Sequence, residues 1–259
     1  MKRLLILLPL AFSSALHAQG ESQLEHVPPD PPRTRVHPMS YREMTEMMGM
    51  DDRRRFGKVT LERIEWQLGE KTFGWDANAW YGGDFDKLWF EAEGERQDGE
   101  THESRLELSW DRIVSRWWSL RAGVRHDGGT GPARDWLALG IAGLAPGFIE
   151  VETSVYFGEG GRSAVRLATL KDLLLTQRLV LQPELELAAY GRDDPDRLIG
   201  AGLSDLKLGL RIRYEVRREV APYAGVRWVS HFGDSADFRR DAGEPADEWQ
   251  WLAGVRAWF

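Results

Sequence analysis

Five of the six methionines in this 259-residue chain fall within "MSYREMTEMMGM", residues 39–50. They are Met39, Met44, Met47, Met48 and Met50, and no methionine follows them. A thioether is a soft, neutral ligand that suits Cu(I) and holds hard cations poorly. It forms no disulfide in an oxidising compartment, although it can be oxidised to the sulfoxide. His26 and His37 lie just upstream and offer imidazole, which also accommodates Cu(II). The candidate metal ligands are therefore His37, Met39, Met44, Met47, Met48 and Met50.

The same spacing suits a second role. Ser40 and Glu43 have the S-x-x-E spacing of a capping box, and Gly49 can stop the helix they start. Tyr41, Met44 and Met48 then share one face, with Met47 beside them. Methionine packs well against irregular surfaces, so the stripe equally fits a short helix docked on a larger body. Spacing alone leaves metal capture and docking side by side, because one helical face would also gather three sulfurs around one soft ion.

Other chemistry finds less support. Apart from His26 and His37, the histidines of the expected mature chain are His102, His126 and His231, and no serine stands in a recognisable nucleophile motif. His126 and Asp127 are adjacent, but strand neighbours point to opposite faces. The expectation is a protein that is not an enzyme; a barrel hydrolase would need a dyad assembled across strands. With 41 acidic against 34 basic residues and a net charge of −7, a nucleic-acid partner is not expected.

Three regions must position these residues. Residues 1–20 read as an export signal: Lys2 and Arg3, then the apolar run Leu4–Phe12, then small residues up to Ala18 and Gly20. Residues 21–57 form a Pro/Met-rich segment, in which "HVPPDPPRTRVHP" can pack neither as helix nor as strand. The chain has no cysteine, so an exported protein of this size needs its stability from packing or from a closed sheet.

From residue 58 to 259 the pattern alternates with period two. Leu106, Leu108 and Trp110 oppose Arg105, Glu107 and Ser109, and Leu206, Leu208, Leu210 and Ile212 oppose Lys207, Arg211 and Arg213. Twelve such runs are predicted. Odd connections are polar or glycine-rich and include "GRDDPDRLIGAGLSD" and "HFGDSADFRRDAGEPADE"; even ones are short, such as "RIVSR" and "LAPG". The chain ends in the amphipathic run "EWQWLAGVRAWF", whose terminal aromatic resembles a sorting signal for barrel assembly. The predicted fold is all-β: a transmembrane antiparallel up-and-down β-barrel of about 12 strands behind a mostly irregular N-terminal segment. A soluble sandwich with its apolar face inward is the alternative. In the barrel reading, Trp66, Trp89, Trp110, Trp117, Trp118, Trp136, Trp228 and Trp249 form interfacial girdles. The charged face, including Glu91, Glu93, Glu107, Glu150 and Glu152, lines the lumen as a Glu–Arg lattice or as a path attracting cations.

Four blocks carry a family resemblance: "AWYGGDFDKLWFEAEGE" (79–95), "GVRHDGGTGPARDWLALGIAGLAPGFIEVE" (123–152), "YFGEGGRSAVRLATLKDLLLTQRLVLQPELEL" (156–187) and "GRDDPDRLIGAGLSDLKLGLRIRYEVRREVAPYAGV" (191–226). They resemble the bacterial copper-resistance protein B family. The resemblance implies a copper-binding barrel of the outer membrane that contributes to copper tolerance. The partners expected are copper ions, outer-membrane lipid and periplasmic copper-resistance proteins, with the N-terminal segment in the periplasm. Many members carry a long tract of repeated Met/His motifs. Here the tract shrinks to His37 and the five methionines, without an M-x-H repeat, which implies one or two Cu(I) sites at most.

Overall fold

The computed structural model describes residues 40–49 and 54–259. The expected export signal, the Pro-rich stretch, His26, His37, Met39 and Met50 lie outside the described residues. The chain divides into two units, Met1–Asp52 and Arg53–Phe259. In the first, helix α1 spans Tyr41–Met47.

The second unit is an antiparallel barrel. Its strands are β1 (Phe56–Gln67), β2 (Thr72–Gly82), β3 (Asp86–Gln97) and β4 (Glu100–Ile113). Then come β5 (Trp118–Gly129), β6 (Arg134–Ala145), β7 (Ile149–Gly158) and β8 (Ser163–Leu170). The last four are β9 (Leu179–Tyr190), β10 (Gly202–Tyr214), β11 (Val220–His231) and β12 (Asp247–Trp258). Each strand pairs with its sequence neighbour, and β12 returns to β1 through pairs such as Trp66↔Ala253. Leu173–Leu174 adds a short pairing to the start of β9. Closure leaves no open sheet edge, which hydrocarbon would not tolerate because it cannot satisfy free N–H and C=O groups.

The barrel is polar within and apolar without. On β4, Glu107, Ser109 and Asp111 are buried, whereas Leu106, Leu108 and Trp110 are exposed. Across the ladder the outward face continues through Phe90↔Leu108 and Leu108↔Val124. A soluble sandwich would place these faces the other way round. The arrangement is instead that of a bilayer-spanning barrel, and most strands have the roughly 9–11 residues needed to cross.

Two details differ from the sequence reading. Trp89 and Trp136 do not join an exterior girdle. Trp89 lines the lumen under the Arg121 guanidinium, and Trp136 is buried, with its indole N–H donating to Asp127 at 2.9 Å. Both share the inward parity of their strands, Trp89 with Glu91 and Glu93, Trp136 with Ala138. The loop asymmetry is also narrower than expected. β3 and β4 run on to a tight turn at Asp98–Gly99, both at positive φ, so real length on that side is confined to residues 191–201 and 232–246. The latter carries helix α2 (Gly233–Asp241), which the alternation pattern does not announce.

Candidate functional site

Helix α1 forms because its first turn is satisfied locally. The Glu43 N–H donates to Ser40 Oγ at 3.3 Å, and the Ser40 N–H donates to Glu43 Oε2 at 2.9 Å, closing the capping box reciprocally. Glu43 is held below the usual carboxylate range by its hydrogen bonds from the Ser40 backbone and hydroxyl. Gly49 sits at φ +62°, a conformation that ends a helix at little cost for glycine. At spacings of three and four, Met44, Met47 and Met48 lie on one side of this turn. Met47 and Met48 are 70% and 53% exposed, and Met44 is 36% exposed. Three of the six predicted ligands therefore sit on α1 or at its C-cap, open to solvent. Their donor set is neutral and soft, which fits Cu(I) and does not fit a hard dication. Among the described residues, no three His, Asp or Glu side chains converge on a common metal position.

The lumen holds the second group of candidates, and it is a lattice of ion pairs. Glu91 receives Arg121 at 2.9 Å, and Glu152 lies 3.2 Å from the same guanidinium. Glu107 accepts the Tyr156 hydroxyl at 3.3 Å, and Glu93 accepts from both Arg63 and Arg105 at 3.1 Å. Glu65 gathers Arg211, Arg227 and the Tyr223 hydroxyl at 2.8–3.2 Å. Glu150 is exposed to a cavity of about 770 Å³ at the short-turn end. Basic and acidic side chains are nearly balanced around that cavity, twelve to ten, which is the arrangement of a Glu–Arg lattice. Most of the inward carboxylates are already neutralised by arginines from other strands.

His126 faces outward, as its alternation with Val124 predicts, and does not join the lumen. Its Nδ1 lies 2.6 Å from Asp135 Oδ1 on the barrel wall, among Leu106, Val124 and Leu137. Asp127 points inward to Arg125, at 2.7 and 2.8 Å. The adjacent His126–Asp127 pair is thus split between the two faces.

Sequence reasoning missed the long-loop end. Asp194 accepts both Nε and Nη2 of Arg134, at 2.8 and 3.0 Å, while Arg197 donates to the Pro132 carbonyl at 3.0 Å. The Arg134 bonds hold the Asp194 carboxyl below the usual carboxylate range, with help from Arg162 and Arg197. Ser235 of α2 is fully buried, accepts the Gly200 N–H at 2.7 Å and shares a hydrogen bond with the Ser204 hydroxyl at 2.8 Å. These contacts join residues that neither period nor motif connects.

Residues 55–259 match the family model for Copper resistance protein B precursor (CopB). The chain belongs to the copper resistance protein B family. Copper resistance protein B of Escherichia coli is 45% identical over 203 residues, covering 78% of this chain and 69% of that protein. The homolog from Pseudomonas syringae pv. tomato is 40% identical over 200 residues, covering 76% and 68% respectively. Among solved structures, the NanC porin aligns with a TM-score of 0.52 at 10% identity, over 78% of this chain and 99% of the porin. That likeness concerns the closed-barrel fold alone. Family membership thus ties the protein to copper resistance and gives it an outer-membrane-type barrel. The family match begins just before β1, so the methionine segment lies outside it.

Proposed function

We propose that this protein captures copper ions, as Cu(I), on the segment containing His37, Met39, Met44, Met47, Met48 and Met50, and that this capture underlies its part in copper resistance. The observation that carries the reading is the exposure of three thioethers on one side of a capped helical turn. A helix of seven residues is marginal by itself in water, and the capping box offsets part of its nucleation cost. Residues 1–20 serve as the export signal, 21–57 as the periplasmic segment and 58–259 as the barrel in the outer membrane. The segment enters the barrel at β1, whose first residues lie at the short-turn end, and short turns face the periplasm in barrels of this type. Copper would then be held on the side from which periplasmic copper-resistance proteins could deliver or receive it.

Competitive Cu(I) titration of the purified protein tests this reading. The Met44/Met47/Met48→Leu variant keeps the apolar bulk of the helix and is expected to fold into the same barrel while binding Cu(I) at least about tenfold more weakly, a loss of roughly 1.4 kcal/mol. Unchanged affinity and stoichiometry would overturn it.

A further inference from the structure

The lumen contains a second cavity, of about 50 Å³, toward the long-loop end beside Gln67, Thr72 and Glu95. Arg63, Glu93, Arg105, Lys207 and Arg227 line both this cavity and the 770 Å³ one. They lie where the two cavities meet. Central among them is Glu93 on β3. Glu93 accepts from Arg63 on β1 and Arg105 on β4, and its Oε2 lies 3.7 Å from Arg166 Nη2 on β8. In a ring of twelve strands, β3 and β8 stand on nearly opposite walls, so this last contact spans the lumen. On the far wall, Glu186 accepts both Nε and Nη2 of Arg166 at 3.0 Å, and Lys207 lies 3.8 Å from Glu186. The layer is thus anchored on both walls and joined across the middle.

We infer that this layer closes the barrel and that Glu93 is its keystone: ions cross only when the Glu93–Arg166 bridge parts. A twelve-stranded barrel is too wide for wall side chains to fill as they do in eight-stranded ones, so an open channel is the default unless something bridges it. Long, charged side chains reaching across the lumen supply the bridge. Ion pairs also suit a closure that must open. Their attraction and their desolvation cost nearly cancel, and parting them exposes charges that water solvates instead of apolar surface. The inference is independent of the methionine segment and stands whether or not that segment binds copper.

Planar-bilayer recording of the full protein purified from membranes tests it, with heat-modifiable gel mobility to verify the folded barrel. The unmodified protein is expected to show no steady conductance in potassium chloride. Glu93→Gln removes the carboxylate and takes one partner each from Arg63, Arg105 and Arg166, which keep Asp76, Asp127 and Glu186 nearby; steady conductance should therefore appear where the parent is silent, with a reversal potential of anion selectivity. Arg166→Gln loosens the bridge from the other wall and leaves carboxylates in excess; it should also conduct, with its selectivity moved toward cations. Steady conductance of the unmodified protein overturns the inference by itself. So does a folded variant of either kind that stays as silent as the parent. Should Glu93→Gln fail to fold, the parent recording and Arg166→Gln still decide the matter.

Discussion

Arg134, at the head of β6, grips both carboxylate oxygens of Asp194, sixty residues away in the loop before β10. This fork-on-fork pair draws the loop over the long-loop end of the barrel, and Arg197 fastens it further at the Pro132 carbonyl. The carboxyl is held low chiefly by the Arg134 hydrogen bonds, so its linkage to pH has a definite sign. The stabilisation is fully present above the ordinary aspartate pKa of about 4 and is lost as pH falls through the lowered native value. Hydrogen-exchange protection factors of residues 191–201 should be high at neutral pH and fall in acid. Asp194→Asn should show the low protection at every pH, with local opening easier by about 2 kcal/mol. Equal protection in variant and parent at pH 7 would remove the clasp from the account.

Gly200 and Ser235 hold the other long loop. A Cβ at residue 200 would strike the backbone nitrogen of Ser235, which cannot swing aside as a side-chain tip can. Gly200→Ala is therefore expected to displace α2 and expose the 232–246 loop to limited proteolysis, with the barrel strands remaining intact. A cleavage pattern identical to the parent's would show that the loop absorbs the methyl group.

Ser40 caps the methionine helix without belonging to the proposed ligand set. Ser40→Ala deletes the capping hydroxyl while keeping every sulfur, at a cost of about 1 kcal/mol to the helical turn. If the helix preorganises the thioethers, Cu(I) affinity should fall by roughly fivefold, with unchanged stoichiometry. Affinity equal to the parent's would mean that the sulfurs bind from an unstructured segment.

Glu65 is a carboxylate on which two arginines and a tyrosine converge inside the barrel. Glu65→Ala leaves Arg211 and Arg227 short of a partner in a buried setting, which should lower unfolding stability by about 3–5 kcal/mol. A urea midpoint close to the parent's would show that Glu184, which pairs with Arg211 and lies 3.7 Å from Arg227, takes over.

Leu108 tests the inverted faces. Leu108→Arg adds charge to the bilayer-facing wall and should destabilise the inserted barrel by up to about 2–4 kcal/mol if the site lies near the midplane. A soluble protein with the same alternation would tolerate arginine at an exposed position. Refolding yield into lipid vesicles measures the difference.

The sequence by itself determined the strand pattern. Alternation in runs such as "ESRLELSW" forces a two-faced ribbon, and turn residues between the runs mark where it reverses; the twelve strands follow these local rules. The capping of α1 was equally legible, because Ser40 and Glu43 stand three residues apart and satisfy each other within one turn. Which face turns inward was legible only when the alternation was combined with the export signal, the loop pattern and the terminal aromatic. Alternation defines two faces, and only closure of β12 onto β1 puts Glu107 and Asp111 in the lumen and Leu106 and Leu108 on the outer wall. The partners of the charged residues were decided later still. Glu93 meets Arg166, and Arg134 meets Asp194, through barrel curvature and loop reach, which depend on all the intervening strands at once. Hydrophobic period is a property of neighbours along the chain, whereas ion pairing across a lumen belongs to the closed ring.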